Sequence, residues 1–263
     1  QDLLFMQHAE DTRITHHVPM TECAVSHAAH VDGQPPEAES NIVERDVGYA
    51  EEIGARYHVL HLSTKKSLAA VRAAKQRGAR VSCEASPHHL LLTHDDVVRG
   101  GVAAPRSAAD LDPNRKMNPP LRSGADRRAL VAGLADGTVD AVATDHAPHA
   151  ASEKGQGFVQ APFGVTGLET MLAAVLSFVH DGTISANRAI DLVTAGPSRV
   201  LARTDLGTFA GVPDLCLIDP ERAWTVGEGD VLSRSKNSCF LGHAMKGRVV
   251  ATFVRGRCVY ELV

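Results

Sequence analysis

No stretch of this sequence approaches the roughly 20 consecutive apolar residues that a membrane span requires. The first residues lack the charged, apolar and cleavage regions of a signal peptide. Cysteine is scarce. The five present (Cys23, Cys83, Cys216, Cys239, Cys258) are odd in number and never stand in a CxxC spacing, which leaves little support for a disulfide framework or a cysteine-ligated zinc site. A reducing cytoplasm fits that usage. An excess of one charge is missing too: 27 Lys and Arg stand against 31 Asp and Glu, a net charge of −4, with no basic cluster. Such a surface has no general field for nucleic acid. No Gly-rich phosphate loop, repeat of solenoid period or low-complexity tract occurs.

What is present is a globular composition, 263 residues with 44% hydrophobic and 22% charged, enough for a sizeable core and incompatible with disorder as the main theme. The chain opens with Gln1-Asp2 and runs at once into Leu3-Leu4-Phe5-Met6, as if entering a strand midway through a domain.

Four segments share one layout, an apolar run of strand length closing on His, Asp, Glu or Ser/Thr. They are "DLLFMQHAED" (2–11), "ARYHVLHLST" (55–64), "ARVSCEASPHH" (79–89) and "VDAVATDHAPH" (139–149). Helical patterns separate them at 40–54, 66–77 and 125–136, and two more follow at 165–180 and 185–203. Gly78 and Gly137 stand where helix C-termini want them, and Ser185 is placed to cap the last helix. Strands alternating with helices imply parallel strands joined by right-handed crossovers. Polar chemistry gathered after each strand suits a (β/α) barrel, whose site lies at the C-terminal ends of its strands. From 205 the texture changes to short alternating runs and turns, "GTFAGVPDLCLIDP", "AWTVGEGDVL" and "GRVVATFVRGRCVYELV", which read as a small β domain. "GGVAAPRSAADLDP" (100–113) looks like a surface insertion.

His8, His61 and Asp145 are each the first ionisable residue after an apolar run. Neutral imidazoles and a carboxylate converging at one barrel mouth form a ligand set that Zn²⁺ accepts. A single His after a strand is more often an ordinary hydrogen-bonded residue. Three in equivalent positions shift that balance to about even. Asp145 could also shuttle a proton between a metal-bound hydroxide and a leaving nitrogen, with His149 facing the substrate. A strand-to-helix turn with an Asp cap is the plainer account of "DHAPH", and it explains Asp145 or His149 but not both.

"KMNPPLRS" (116–123) holds Asn118 on a loop that two prolines stiffen, and an amide that both donates and accepts suits a ureide or imide; an ordinary connection is the alternative. "CEASPHHLLLT" (83–93) puts Glu84, His88 and His89 near the same mouth, in contact with a ligand or supporting one. "APFGVTGLET" (161–170) offers the N–H groups of Gly164 and Gly167 to a substrate carbonyl, although a loop glycine without a ligand is commoner.

Taken in order, "QHAED", "HLST", "ASPHHLLLT", "KMNPPLR", "ATDHAPH" and "PFGVTGLET" resemble the dihydroorotases of the bacterial class I type, in the cyclic amidohydrolase superfamily. The resemblance extends to "SKNSCFLGHAMKGRVVATFVRG" near the end of the chain. It implies that His8, His61 and Asp145 bind metal, with Asp145 also the catalytic acid/base. Asn118 and His149 then bind substrate, and Phe163 and Gly164 contact it through their backbone. The implied reaction is reversible hydrolysis of the cyclic amide of dihydroorotate to N-carbamoylaspartate, in pyrimidine synthesis, with two Zn²⁺ in an intact site. Allantoinases and hydantoinases share the barrel and a related aspartate motif, and a non-catalytic subunit that scaffolds aspartate transcarbamoylase is a further alternative.

The family's HxHxR has no counterpart in this sequence. The resemblance therefore implies the C-terminal half of a (β/α)8 amidohydrolase barrel in residues 1–204, with strands 5 to 8, and part of a small β-sandwich domain in 205–263. It implies further that this chain binds metal weakly and turns over little alone. As partners it implies the small-molecule substrate and a second copy of the chain or aspartate transcarbamoylase, with no role for nucleic acid or membrane.

Overall fold

The computed structural model describes residues 2–101, 104–203, 205–206 and 214–262. Four strands, β1 (Leu4–Gln7), β2 (Arg56–Val59), β3 (Val81–Ala85) and β4 (Ala141–Val142), form one sheet in the order β1-β2-β3-β4. All three pairings are parallel. Strands laid down in chain order with a crossover between each pair are the arrangement that the alternating pattern predicts.

The crossovers are helices α1 (Glu37–Ile53), α2 (Lys65–Gln76) and α3 (Gly124–Asp136). Their ends are written locally. The Thr64 side chain accepts from Ser67 N at the start of α2, and Ser123 with Asp126 closes a capping box at the start of α3. Gly54 (φ 67°) and Gly137 (φ 83°) end α1 and α3 in the left-handed conformation that costs glycine least. Helix α4 (Met171–His180) follows, then α5 (Ala186–Val193), whose cap is the Ser185 side chain accepting from Arg188 N at 3.2 Å.

Two expectations are corrected here. The pattern over 165–180 becomes helix only from Met171, because 161–170 is tied elsewhere: Val165 bridges His146 in parallel fashion and accepts from Ala147 N at 2.8 Å. The pattern over 185–203 breaks at Thr194 (φ −132°, ψ −86°) into α5 and α6 (Ala195–Val200). Pro197 lacks the N–H that would bond Val193, and its ring would collide with that carbonyl, so one continuous helix is excluded.

The main core lies between the sheet and its helices. Val59, Cys83, Leu68, Val71, Leu130, Leu134, Val175 and Leu192 are all fully buried there, each aliphatic side chain contributing roughly 1.5–3 kcal/mol. Strand β3 shows the alternation plainly: Val81, Cys83 and Ala85 are buried in that core, Ser82 and Glu84 are not part of it. The sheet's other face carries polar side chains from the central strands. His58 is completely buried on it, hydrogen-bonded to Ser82 Oγ at 2.7 Å and Glu84 Oε2 at 3.2 Å.

A second cluster (Met20, Leu111, Met117, Leu121, Phe158 and Phe240 among others) sits under the long loops and reaches the C-terminal segment. That segment forms an antiparallel sheet of β5 (Leu215–Thr225), β6 (Ala244–Val254) and β7 (Arg257–Glu261). The first part of "GTFAGVPDLCLIDP", residues 207–213, lies outside the described residues.

Candidate active site

Residues that leave the C-terminal ends of β1 and β2 meet. His8 follows β1 directly and His61 stands two residues past β2. Their facing nitrogens, His8 Nδ1 and His61 Nε2, are 3.0 Å apart, with the rings edge to face at 73°. His61 holds a left-handed backbone (φ 28°), as does Asp145 (φ 50°) beyond β4. Such conformations cost about 1–3 kcal/mol in a residue with a Cβ and persist where surrounding structure enforces them.

The other nitrogen of His8, Nε2, is 3.0 Å from Glu10 Oε2, the same oxygen that accepts from Asn118 Nδ2 at 2.9 Å. Burial opposes ionisation of Glu10, yet donors including Asn118 and His8 outweigh it and hold the carboxyl below its ordinary range. A charged Glu10 can only accept, so His8 Nε2 carries the proton of that hydrogen bond while Nδ1 faces His61. Glu10 was not among the expected site residues. Its signal was the carboxylate two residues after a strand-end histidine, in "QHAED".

Asp145 is pushed up by burial, against the pull of His61 and His8. Its Oδ2 lies 3.8 Å from His88 Nε2, too long for a hydrogen bond. That His88 nitrogen, and Nδ1 of His61, are buried without a partner among the described residues. Burial drives both imidazoles toward the neutral form. His89 supports the loop of Asn118 by bonding Pro119 O through Nε2 at 2.8 Å.

The remaining expected residues gather in a second group. His149 Nε2 donates to Phe163 O at 2.8 Å, and the His149 N–H bonds Asn237 Oδ1 at 3.1 Å. Gly164 (φ 99°) packs so closely that an added Cβ would lie 2.5 Å from that of Ala147. Its N–H donates to Lys116 O at 2.8 Å, and the Gly167 N–H to His146 Nδ1 at 3.2 Å. The two amides suggested as a carbonyl-binding pair are thus engaged within the protein. No hydrogen bond among the described residues joins this group to His8 and His61.

The donor chemistry fits a metal in part. Two ligands of one tetrahedral zinc stand about 3.3 Å apart, given Zn–N bonds of roughly 2.0–2.1 Å. The His8–His61 separation is close to that, and the carboxylate behind His8 is the usual support of a metal-binding imidazole. Among the described residues, however, no three His, Cys, Asp or Glu side chains are grouped to hold an ion. The site supplies a facing pair of donors, not a full shell.

No protein-family model matches the chain. It is 42% identical to a dihydroorotase of Anaplasma phagocytophilum over 99% of its own length and 56% of the relative's. A second dihydroorotase, of a Geobacter species, is 44% identical over 97% of the chain and 58% of the relative. By sequence the chain is similar to these dihydroorotases over almost all of its own length. It spans less than three fifths of the length of these relatives. A D-hydantoinase structure superimposes on 99% of this chain with a TM-score of 0.83 at 26% identity, covering 57% of the hydantoinase. The L-hydantoinase (dihydropyrimidinase) of Arthrobacter aurescens does so over 98% with the same score and identity. The parallel sheet and helices are therefore part of an amidohydrolase barrel, followed by an antiparallel β segment.

Proposed function

We propose that the chain carries part of the active site of a dihydroorotase, which reversibly hydrolyses the cyclic amide of dihydroorotate to N-carbamoylaspartate. The observation that carries this reading is the meeting of His8, His61, Glu10 and Asn118 at one end of parallel strands, in a chain more than 40% identical to dihydroorotases along its length. Zinc, where bound, would lower the pKa of a coordinated water and polarise the ring carbonyl. His8 and His61 are the residues to hold it, with Asp145 the third donor we assign.

The chain's own groups have separate tasks. Burial favours a proton on Asp145 more than at an exposed carboxyl, which suits a group that takes a proton and passes it to the departing ring nitrogen. Glu10 orients His8 and Asn118 together. Asn118 and His149 hold the substrate, with the Phe163 carbonyl and His149 presented as one hydrogen-bonded unit, while the Gly164 N–H, spent on Lys116 O, fixes the segment beside them. The cytoplasm is the compartment we assign.

Ring opening of dihydroorotate, hydantoin and allantoin should be compared in the zinc-loaded chain, alone and co-expressed with the remaining part of the Anaplasma relative. Dihydroorotate is expected to be preferred, with little turnover by the chain alone, and Asp145→Asn to cost at least about a hundredfold. Faster opening of hydantoin or allantoin would overturn the assignment in favour of the alternative amidohydrolases.

A further inference from the structure

Two lysines in the loop region are buried without a carboxylate. Lys116 is 4% exposed and Lys154 6%, and among the described residues neither forms an ion pair. An ammonium so placed must have its hydrogens satisfied, or the loss of hydration costs several kcal/mol. Lys116 Nζ donates to Val159 O at 2.7 Å and Ala161 O at 2.6 Å. It also lies 4.6 Å from the centre of the Phe163 ring, within cation–π range. Lys154 Nζ donates to Pro113 O at 2.9 Å and Pro162 O at 2.8 Å.

The four carbonyls lie on two stretches of chain without strand or long helix, 113–118 and 158–164. Backbone acceptors buried in irregular structure need donors from elsewhere. A lysine supplies three at the tip of a flexible stem, so one side chain can bind two carbonyls that face different ways. Lys116 stands two residues before Asn118, and Lys154 ends the short helix Ala151–Lys154 that follows His149. The segment they grip contains Phe163 and Gly164, and the Gly164 N–H returns to Lys116 O. The other charged or ionisable groups around Lys154 are Lys116, Asp112 and the Cys239 thiol. None of them replaces the carbonyls as a partner.

We propose that Lys116 and Lys154 are positioning residues: their buried ammonium groups fasten segment 159–164 to the segments carrying Asn118 and His149, and thereby fix these two substrate-holding groups relative to one another. This rests on the dihydroorotase reading for what the groups hold, and not for the clamp itself.

Two measurements test it. In the unmodified chain, NMR should detect both ammonium groups in slow exchange with water, with couplings through the hydrogen bonds to the carbonyl carbons of Val159 and Ala161, and of Pro113 and Pro162. Rapid exchange without couplings would overturn the clamp, and this result needs no variant to fold. In Lys116→Met and Lys154→Met, which keep the stem and remove the donor, amide exchange across 158–164 should quicken about ten- to a hundredfold. That is the factor a lost charged hydrogen bond leaves in a local opening equilibrium. Helix α2 should be unchanged, and Lys66→Met should leave both regions as they are. Uniform quickening of the whole molecule, or none, would count against positioning. Dihydroorotate affinity, measured alongside, should weaken in the two clamp variants and not in Lys66→Met. Failure of the unmodified chain to bind dihydroorotate would count against the functional reading and leave the exchange data to decide the clamp.

Discussion

Replacing Glu39 by alanine should be among the most damaging single changes in this molecule. Glu39 is 3% exposed on α1, and its carboxylate accepts from the N–H groups of Ser63 (3.1 Å) and Thr64 (3.0 Å) and from both of their hydroxyls. Those residues form the turn between His61 and α2. Without the carboxylate the hydroxyls can still find partners, since Thr64 Oγ1 reaches Ser67 Oγ at 2.7 Å and Ser63 Oγ receives Arg122 Nε at 3.2 Å. The two N–H groups cannot, and each orphaned buried donor costs about 1–3 kcal/mol. Arg122 is buried too and loses the carboxylate that most favours its charge, which places the total in the range of about 3–5 kcal/mol typical of breaking a buried charge network. Glu39→Gln keeps one acceptor and turns an NH2 toward donors, for about 1–3 kcal/mol. Urea unfolding followed by far-UV circular dichroism measures both. At about 2–4 °C per kcal/mol for a chain near this length, Glu39→Ala should melt roughly 6–20 °C lower. A change below about 1 kcal/mol with the same denaturant slope would refute the reasoning, because it would mean that the turn is held by something other than this carboxylate.

Stability should fall with acid through the window from pH 6.5 to about 4. Burial holds His61 and His88 below the ordinary imidazole value and His89 down to about 4, so the unfolded chain binds more protons there and the native state is fully favoured only above 6.5. A urea midpoint independent of pH in that window would contradict it, and His89→Gln should flatten the slope. Gly196→Ala should cost about 3 kcal/mol or more by chemical denaturation, since its Cβ would meet the backbone oxygens of Asp140 at 2.3 Å and Asp191 at 2.8 Å. Zinc affinity by titration calorimetry should be weak, should vanish in His8→Ala and His61→Ala, and should drop about tenfold or more in Glu10→Gln. Retained binding in His8→Ala would remove that residue from the site.

Much of the scaffold is legible because its causes are local. The four apolar runs closing on polar residues became four parallel strands in chain order, and the helix ends at Gly137 and Ser185 stand where the sequence places them. One helix starts later than its pattern because a distant partner holds the backbone first: Val165 bridges the segment of His146, so the helix begins at Met171. Glu10 and Lys116 carry little sequence signal for a related reason. A carboxylate near a strand end or a lysine before a proline-rich loop is unremarkable in sequence, and each gains its role only from groups brought to it by the fold, Asn118 for the one and the carbonyls of Val159 and Ala161 for the other.

By itself, the sequence determined which residues would lie at the strand ends and which faces would be apolar, since periodicity and capping act within a few residues of where they are written. Only the tertiary structure decided which of those residues meet. His8 faces His61 across 53 positions, Glu10 gathers Asn118 across 108, and the amides of Gly164 and Gly167 turn inward to Lys116 and His146. The choice of partner depends on how crossovers and loops pack, and a hydrogen bond between segments so far apart leaves no period in the chain to read.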